Sequence, residues 1–220
     1  MNYLVYHPER EVSEIGDLCV YHDSFNGNQD PYIWNEEFLH SFCHMTQLTT
    51  KINEIVFWVS GDSFPNFTKL KCDCVFVIKQ KIQWGTPNFI DRKNSMVESD
   101  NAFEHHYKWV NKPHCEHIFT KRTRYTLKAD KERSFQPQDK NKNLIDILPF
   151  LIKQGISIDT LINGIGKTVN GKRTINSKPF KLSNEISKKI YEYLSETSAI
   201  KIYGKMIVNK YPNITLKPSP

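Results

Sequence analysis

The sequence has no long hydrophobic run. A helix that spans a bilayer needs about 20 consecutive apolar residues, and no stretch of this chain approaches that length. The first residues, MNYLVYHPEREVSE, also lack the basic start and the longer apolar core of a secretory signal peptide. We therefore expect a cytoplasmic protein that has no membrane partner.

Cysteine is scarce and odd in number, with five cysteines in 220 residues. Cys72 and Cys74 are separated by one residue, so on one strand they would point to the same face and could hardly bridge each other. Reduced thiols in a cytoplasm fit this pattern best. The chain is 39% hydrophobic and 12% aromatic, which is enough for a packed core and argues against disorder.

Positive charge is nearly absent from the first 60 residues. They carry nine acidic residues against Arg10 and Lys51, a net charge of −7, whereas the whole chain has a net charge of +6. The remaining 160 residues must therefore carry +13. Such segregation suggests a polyanionic partner for the later part of the chain, and a solvated basic surface is the alternative interpretation.

The apolar pattern predicts strands early in the chain and helices later. The strands expected from continuous or alternating apolar runs are 54–60, 72–84 and 121–129. The helices expected from spacings of three and four are 31–48, 144–154, 158–163 and 183–196. Ser157 and Ser183 are the expected N-caps of the last two helices.

This order argues for an α+β fold. We expect a mixed or antiparallel sheet core in residues 1–155. A small, basic, mostly helical C-terminal extension follows in residues 156–220, and two short strands that turn at Gly204 form a hairpin within 200–208.

Half of the eight histidines lie in one short stretch. They are His105, His106, His114 and His117. Imidazole is the usual general base near neutral pH and a common metal ligand, so the stretch is the candidate catalytic site. His114 and His117 would hold a divalent metal in that reading, and Asp62 or Asp73 would orient the base. Histidines that cap helices or form hydrogen bonds are the alternative.

No complete catalytic signature accompanies these histidines. A restriction-type nuclease needs an acid two residues before a lysine, and neither Lys79 nor Lys81 has one. The fragment GIGKT at 164–168 lacks the earlier glycine of a P-loop, because position 161 is leucine. Whether the protein is an enzyme is therefore open, and a nucleic-acid hydrolase is the class we would expect of one.

The same glycines have a second interpretation. Read with Leu161 and Ile162, the Gly164–Gly166 turn resembles the hairpin of a helix-hairpin-helix motif, whose backbone amides face a nucleic-acid phosphate. Gly171 departs from that motif because it would break the second helix almost where it begins. A C-cap turn explains the glycines equally well.

Cations interleaved with aromatic residues are the most marked feature of the chain. Arginine and lysine neutralise phosphates, and aromatic rings stack on unpaired bases. The candidate phosphate-binding residues are Arg122, Arg124, Tyr125, Lys128, Arg133, Lys167, Lys172 and Arg173. We therefore expect a protein that associates with DNA or RNA and, in a catalytic version, processes phosphodiesters. The alternatives are a protein partner or self-association, and a module that binds a phosphorylated small ligand.

Overall fold

The fold is taken from a computed structural model of the chain. It describes residues 1–7, 10–24, 31–40, 50–62, 64–83, 125–175 and 179–210. The strands in this part of the chain are β1 (Asn2–His7), β2 (Glu11–Ile15), β3 (Leu18–His22), β4 (Leu39–His40), β5 (Ile55–Gly61), β6 (Leu70–Gln83), β7 (Tyr125–Ala129), β8 (Gln136–Gln138), β9 (Gly166–Val169), β10 (Lys172–Ile175), β11 (Phe180–Leu182) and β12 (Ile200–Ile202). The helices are α1 (Leu148–Lys153), α2 (Ile158–Ile165), α3 (Asn184–Thr197) and α4 (Gly204–Lys210).

A six-stranded mixed sheet forms the centre of the described structure. Its strand order is β11-β1-β5-β6-β7-β4. β1 and β5 run parallel, whereas the other neighbours in the sheet are antiparallel. The predicted α+β class with a mixed sheet is therefore confirmed. The boundary near residue 155 stays a prediction, although β11, which follows it, pairs with β1 at one edge of the sheet.

Both faces of the sheet are covered. On one face, α1, α2 and α3 bury apolar side chains such as Leu161 and Ile190 against Phe57 of β5. On the other face, Trp58 belongs to a second cluster that joins the β2–β3 hairpin, segment 31–40 and α4. Burying one large apolar side chain contributes about 1.5–3 kcal/mol, so these two clusters supply most of the drive to fold. None of the helices in the described ranges has the length and hydropathy needed to cross a bilayer.

Local signals in the sequence place α2 and α3 correctly. The hydroxyl of Ser183 accepts a hydrogen bond from the Ile186 amide at 3.2 Å, and that of Ser157 accepts one from Thr160 at 3.1 Å. Both serines are therefore the N-caps that the sequence predicted.

The helix predicted over 31–48 is wrong in its described part. Residues 31–40 form an irregular segment that ends in β4, with Tyr32 and Leu39 joined by reciprocal backbone hydrogen bonds of 2.7 and 2.9 Å. β4 then pairs with β7 at the edge of the sheet. Residues 41–48 lie outside the described residues. The hairpin predicted over 200–208 is also corrected, because only β12 is a strand and α4 follows it.

A bulge in β6 separates Cys72 from Cys74. In the pairing with β5, Trp58 faces Cys74 and Val59 faces Cys72, so Asp73 is the extra residue. Cys72 consequently joins the helix-covered cluster and Cys74 the opposite one. The prediction that both thiols share a face is wrong for this reason. Neither cysteine forms a disulfide, and burial raises the pKa of both thiols well above the usual value.

The glycine-rich segment after α2 is a β-hairpin. β9 and β10 pair antiparallel and are joined by Asn170 and Gly171, both with positive φ (49° and 74°). Two such residues are characteristic of the type I′ turn, whose twist matches that of a two-stranded ribbon. The helix-hairpin-helix resemblance is therefore wrong, because β9 begins at Gly166 where the second helix was expected. We call residues 166–175 the ribbon.

Candidate functional site

A buried polar cluster surrounds the bulge of β6. Asp73 is 3% exposed, and its carboxylate accepts hydrogen bonds from Arg10 Nε at 2.8 Å and from Ser60 Oγ at 2.5 Å. Arg10 also approaches Asp23, with 3.6 Å between Nη1 and Oδ2. Burial raises the pKa of Asp73, while Arg10 and Ser60 oppose that rise. The predicted catalytic residue Asp73 is therefore held by an arginine and a serine.

Side-chain amides connect this cluster to the β2–β3 hairpin. Gln136 Nε2 donates to the carbonyls of Tyr21 at 2.8 Å and Asp73 at 3.0 Å, and its Oε1 accepts from the Tyr21 amide at 2.9 Å. Gln138 Nε2 donates to the carbonyl of Cys19 at 2.6 Å. The hairpin is thus hydrogen-bonded to β8 through side chains, which makes the cluster part of the framework of the protein.

His22 is the buried histidine of the same region. Its Nδ1 lies 2.6 Å from the carbonyl oxygen of Asp23, and its Nε2 lies 2.7 Å from Ser13 Oγ. Since a carbonyl can only accept, Nδ1 carries the proton and Nε2 accepts from the serine. Burial lowers the pKa of His22, so the imidazole is neutral near pH 7.

Asp62, the other predicted catalytic acid, stabilises a turn. Its two carboxylate oxygens accept hydrogen bonds from the amide and the hydroxyl of Thr68, both at 2.9 Å. Those hydrogen bonds hold the pKa of this exposed carboxyl below its usual value. Asp62 is exposed whereas Asp73 is buried, and each has its own hydrogen-bond partners.

The predicted histidine site lies outside the described residues. This holds for His105, His106, His114 and His117, and for the two arginines Arg122 and Arg124. Within the described ranges, no three His, Cys, Asp or Glu side chains are arranged to hold a metal ion. The divalent metal at His114 and His117 stays a prediction.

Two of the predicted phosphate-binding cations form ion pairs with acidic residues of the chain, Lys128 in a largely buried position and Arg133 in an exposed one. Lys128 Nζ lies 2.5 Å from Glu37, and its side chain is only 13% exposed. Arg133 pairs with Asp130 at 2.9 Å and donates to Asn53 Oδ1 at 2.9 Å. A cation that is already neutralised gains less from a phosphate, so these two are weaker phosphate ligands than an unpaired lysine. Tyr125 begins β7 of the central sheet.

The ribbon carries the other predicted cations. Lys167 lies in β9, and Lys172 and Arg173 lie in β10, with Arg173 opposite Thr168 in register. The side chains of Lys167 and Lys172 are exposed, as are 44% of Val169 and 39% of Ile175. Neither lysine belongs to an ion pair found among the described residues. Lys167 and Lys172 occupy one face of the ribbon, because diagonal neighbours in an antiparallel pair point the same way.

The cations of the ribbon were predicted from the sequence, but the β-hairpin that carries them was not. The signal was the Asn170-Gly171 dipeptide, which between short β-prone runs is the strongest local indication of a hairpin. Arg10 and Ser60 were also missed. They are far from Asp73 in the chain, and no local pattern connects the three residues.

Comparison of the chain with protein-family models, with curated proteins and with solved structures found no match. The fold and the site define an α+β protein with an exposed cationic β-ribbon.

Proposed function

We propose that the protein binds nucleic acid through the ribbon. The observation that carries the proposal is a two-stranded ribbon that is rich in cations and whose residues 167–170 and Lys172 are exposed. Between Asp159 and Glu185 the chain has five cations and no acidic residue. A polyanion would therefore meet attraction along this whole segment.

The shape of the ribbon supports the same ligand. A two-stranded β-ribbon is narrow enough to enter a nucleic-acid groove or to lie along a strand, and its lysines can each neutralise one phosphate. Most hydrogen bonds between proteins and DNA go to phosphates and sugars, so no base-specific residue is needed for association. The acidic first 60 residues would face away from such a ligand or repel it, which would orient the bound chain.

Fluorescence anisotropy with labelled DNA and RNA, measured across a salt titration, tests the proposal. The variant Lys167→Gln/Lys172→Gln/Arg173→Gln removes the ribbon charges. The slope of log K against log salt is negative, and each lost phosphate contact reduces its magnitude by about 0.9, so we expect the magnitude to fall by about 2 to 3.

A matched variant controls for net charge. Lys188→Gln/Lys189→Gln/Lys205→Gln removes three exposed cations from α3 and α4, where each pairs with a glutamate. If both triple variants lose affinity equally, or if the wild-type protein does not bind at low salt, the ribbon proposal is refuted.

A catalytic version would add strand cleavage at the histidine stretch. The same samples, run on a denaturing gel with and without magnesium or manganese, would then contain shortened strands. Cleavage that disappears in His114→Ala or His117→Ala, with binding retained, would make the protein a phosphodiester hydrolase.

A cleft of about 390 Å³ favours a second candidate, a phosphorylated small ligand. It lies beside the start of β1 and α3, and Lys51, Lys188, Asn53, Ser187 and Tyr191 line part of it. This volume is in the range of ordinary ligand sites. Thermal unfolding with increasing inorganic phosphate or nucleoside monophosphate would test it. A ligand that binds only the folded state raises Tm, whereas Lys51→Gln/Lys188→Gln should abolish that rise.

A further inference from the structure

A serine and a histidine of the β2–β3 hairpin are joined by a short hydrogen bond. Ser13 Oγ lies 2.7 Å from His22 Nε2, and His22 Nδ1 donates to the carbonyl oxygen of Asp23 at 2.6 Å. Because Nδ1 carries the proton, the hydroxyl of Ser13 is the donor to Nε2. The imidazole is therefore held as a donor on one side and faces the serine as a proton acceptor on the other. We call Ser13 and His22 the Ser–His pair.

The register of the hairpin brings these two side chains together. Glu11 pairs with His22, and the next position on the same side of β2, Ser13, pairs with Val20. Ser13 and His22 are thus diagonal neighbours on one face of the hairpin. This face turns toward the core, since Val20 and Ile15 belong to a buried hydrophobic cluster. The Ser–His pair is therefore positioned by a strand ladder packed on the core.

The same face opens to solvent at the Ser–His pair. Along β2 its side chains change from buried at Ile15 to partly exposed at Ser13 and exposed at Glu11. His22 is 3% exposed, so the base lies behind the serine and away from bulk water. Ser13 is consequently within reach of a small molecule that approaches from the Glu11 end of the hairpin.

This arrangement can make a serine hydroxyl nucleophilic. Covalent catalysis by serine needs a base within hydrogen-bond reach of the hydroxyl and a third group that orients the base. His22 and the carbonyl of Asp23 occupy these two places. The imidazole is neutral near pH 7, so its Nε2 is free to take the proton of Ser13.

We propose that Ser13 is a nucleophile activated by His22 and that the protein hydrolyses neutral carboxylic esters at this site. Ser13 Oγ attacks the ester carbonyl carbon and gives its proton to His22 Nε2. The imidazolium passes that proton to the leaving alcohol as the C–O bond breaks, which leaves the acyl group on Oγ. Water then attacks the acyl carbon, with its proton taken by Nε2 and returned to Oγ, and the carboxylic acid leaves.

The charges beside the pair favour an uncharged substrate. The exposed Glu11 is the cross-strand neighbour of His22 and is close enough to influence its pKa. Its carboxylate would repel an anionic ligand, whereas the nearest cation, Arg10, is already paired with Asp73. A phosphodiester is therefore a poor substrate at this site. The proposed ester hydrolysis is independent of nucleic-acid binding by the ribbon, and either can fail without the other.

A fluorophosphonate probe tests the proposal in the wild-type protein. Ser13 Oγ would bond to phosphorus while fluoride leaves, and the serine proton would pass to His22 and then to solvent. We expect mass spectrometry of the digested protein to place the label on Ser13, and unfolding in urea before the reaction to prevent that labelling. Absence of label on Ser13 in the folded protein, or equal labelling in urea, would overturn the proposal.

Two single variants separate the nucleophile from the base. Ser13→Ala should lose the label and should hydrolyse p-nitrophenyl acetate no faster than buffer does. His22→Gln can still accept a hydrogen bond from Ser13 but cannot take its proton. Since general base catalysis contributes about 10²–10⁴ in rate, we expect this variant to be labelled at least about 100-fold more slowly. A decrease of less than about two-fold would overturn the role of His22.

Ser198→Ala is the matched control. Ser198 is also partly exposed, and its hydroxyl donates to the carbonyl oxygen of Leu194 at 2.6 Å, an acceptor that does not act as a base. We expect this variant to be labelled and to hydrolyse the ester as fast as wild type. Equal losses in Ser198→Ala and Ser13→Ala would overturn the proposal. Urea unfolding shows whether each variant is folded, and the labelling of the wild-type protein decides the question without any variant.

Discussion

The ion pair between Arg10 and Asp73 lends itself to a double-mutant cycle. Both side chains are nearly inaccessible, at 2% and 4% exposure, and the two charged groups are 2.8 Å apart. The variants are Arg10→Met, Asp73→Ala and the combination of both. Each single change leaves a buried polar group without its main partner, whereas the double change removes both.

The expected change in the free energy of unfolding follows from the burial of Arg10 and Asp73. Removing one partner of a buried ion pair costs about 3–5 kcal/mol, because the remaining charge has lost its solvation and its partner. Asp73→Ala should fall in that range, since Asp23 at 3.6 Å compensates Arg10 only in part. Against a usual stability of about 5–15 kcal/mol, this is a large fraction, and Tm should fall by about 6–20 °C.

The loss of stability caused by Arg10→Met should depend on pH. Without the guanidinium, the pKa of Asp73, already raised by burial, rises further. The folded state then binds a proton that the unfolded chain releases near pH 3.8, so the stability of the variant falls as pH rises above that value. Its destabilisation should therefore be smaller near about pH 5 than near about pH 8.

Urea unfolding, followed by tryptophan fluorescence, gives the free energy of unfolding of the wild-type protein, the two single variants and the double variant. The double variant should be more stable than the sum of the two single effects predicts, because both charges have gone. If Asp73→Ala costs less than about 1 kcal/mol, or if the effects of the two single changes simply add, the pair is not the buried support that the structure indicates.

Three further predictions concern a close contact and two titrating groups. Gly204→Ala should lower Tm markedly, because the new Cβ would stand 2.3 Å from the carbonyl oxygen of Asn35; a small change in Tm would refute this contact. Burial lowers the pKa of His22 in the folded state, so the imidazole binds a proton more tightly in the unfolded chain. The free energy of unfolding is therefore highest above about pH 6.5 and decreases as the pH falls below that value. His22→Gln should flatten that dependence in urea unfolding at several pH values, and an unchanged slope would contradict it. Tyrosinate absorbance should contain a component near pH 12 that Tyr6→Phe removes, since burial raises that pKa to about 12; titration of every tyrosine near the ordinary value would contradict the burial of Tyr6.

The elements that sequence reasoning placed well are those with local causes. Alternating apolar residues predicted the long strand β6, and a continuous apolar run predicted β5. Ser183 predicted the start of α3, because an N-cap needs only an oxygen and the next turn of backbone. The α+β class followed from the order of these elements, and it is confirmed.

The conformation of segment 31–40 could not be predicted from local sequence patterns. Its aromatic residues recur at a helical spacing, yet the backbone of Phe38 accepts a hydrogen bond from Ala129, and Leu39 pairs with β7. Asn35 and Glu36 also pack directly against Gly204 of α4. Partners more than 80 residues away thus decided the conformation, and a spacing rule carries no information about them.

For the candidate site, the sequence by itself determined the inventory of charge: an acidic beginning, a cationic segment after residue 160, and an Asn-Gly dipeptide that favours a tight turn. Only the tertiary structure decided which cations are already neutralised and which are exposed. Lys128 pairs with Glu37, and the exposed Arg133 pairs with Asp130. Lys167 and Lys172 are exposed and belong to none of the ion pairs found among the described residues. The physical reason is that ion pairing and burial depend on neighbours in space, and a single bulge residue, Asp73, was enough to send Cys72 and Cys74 to opposite faces.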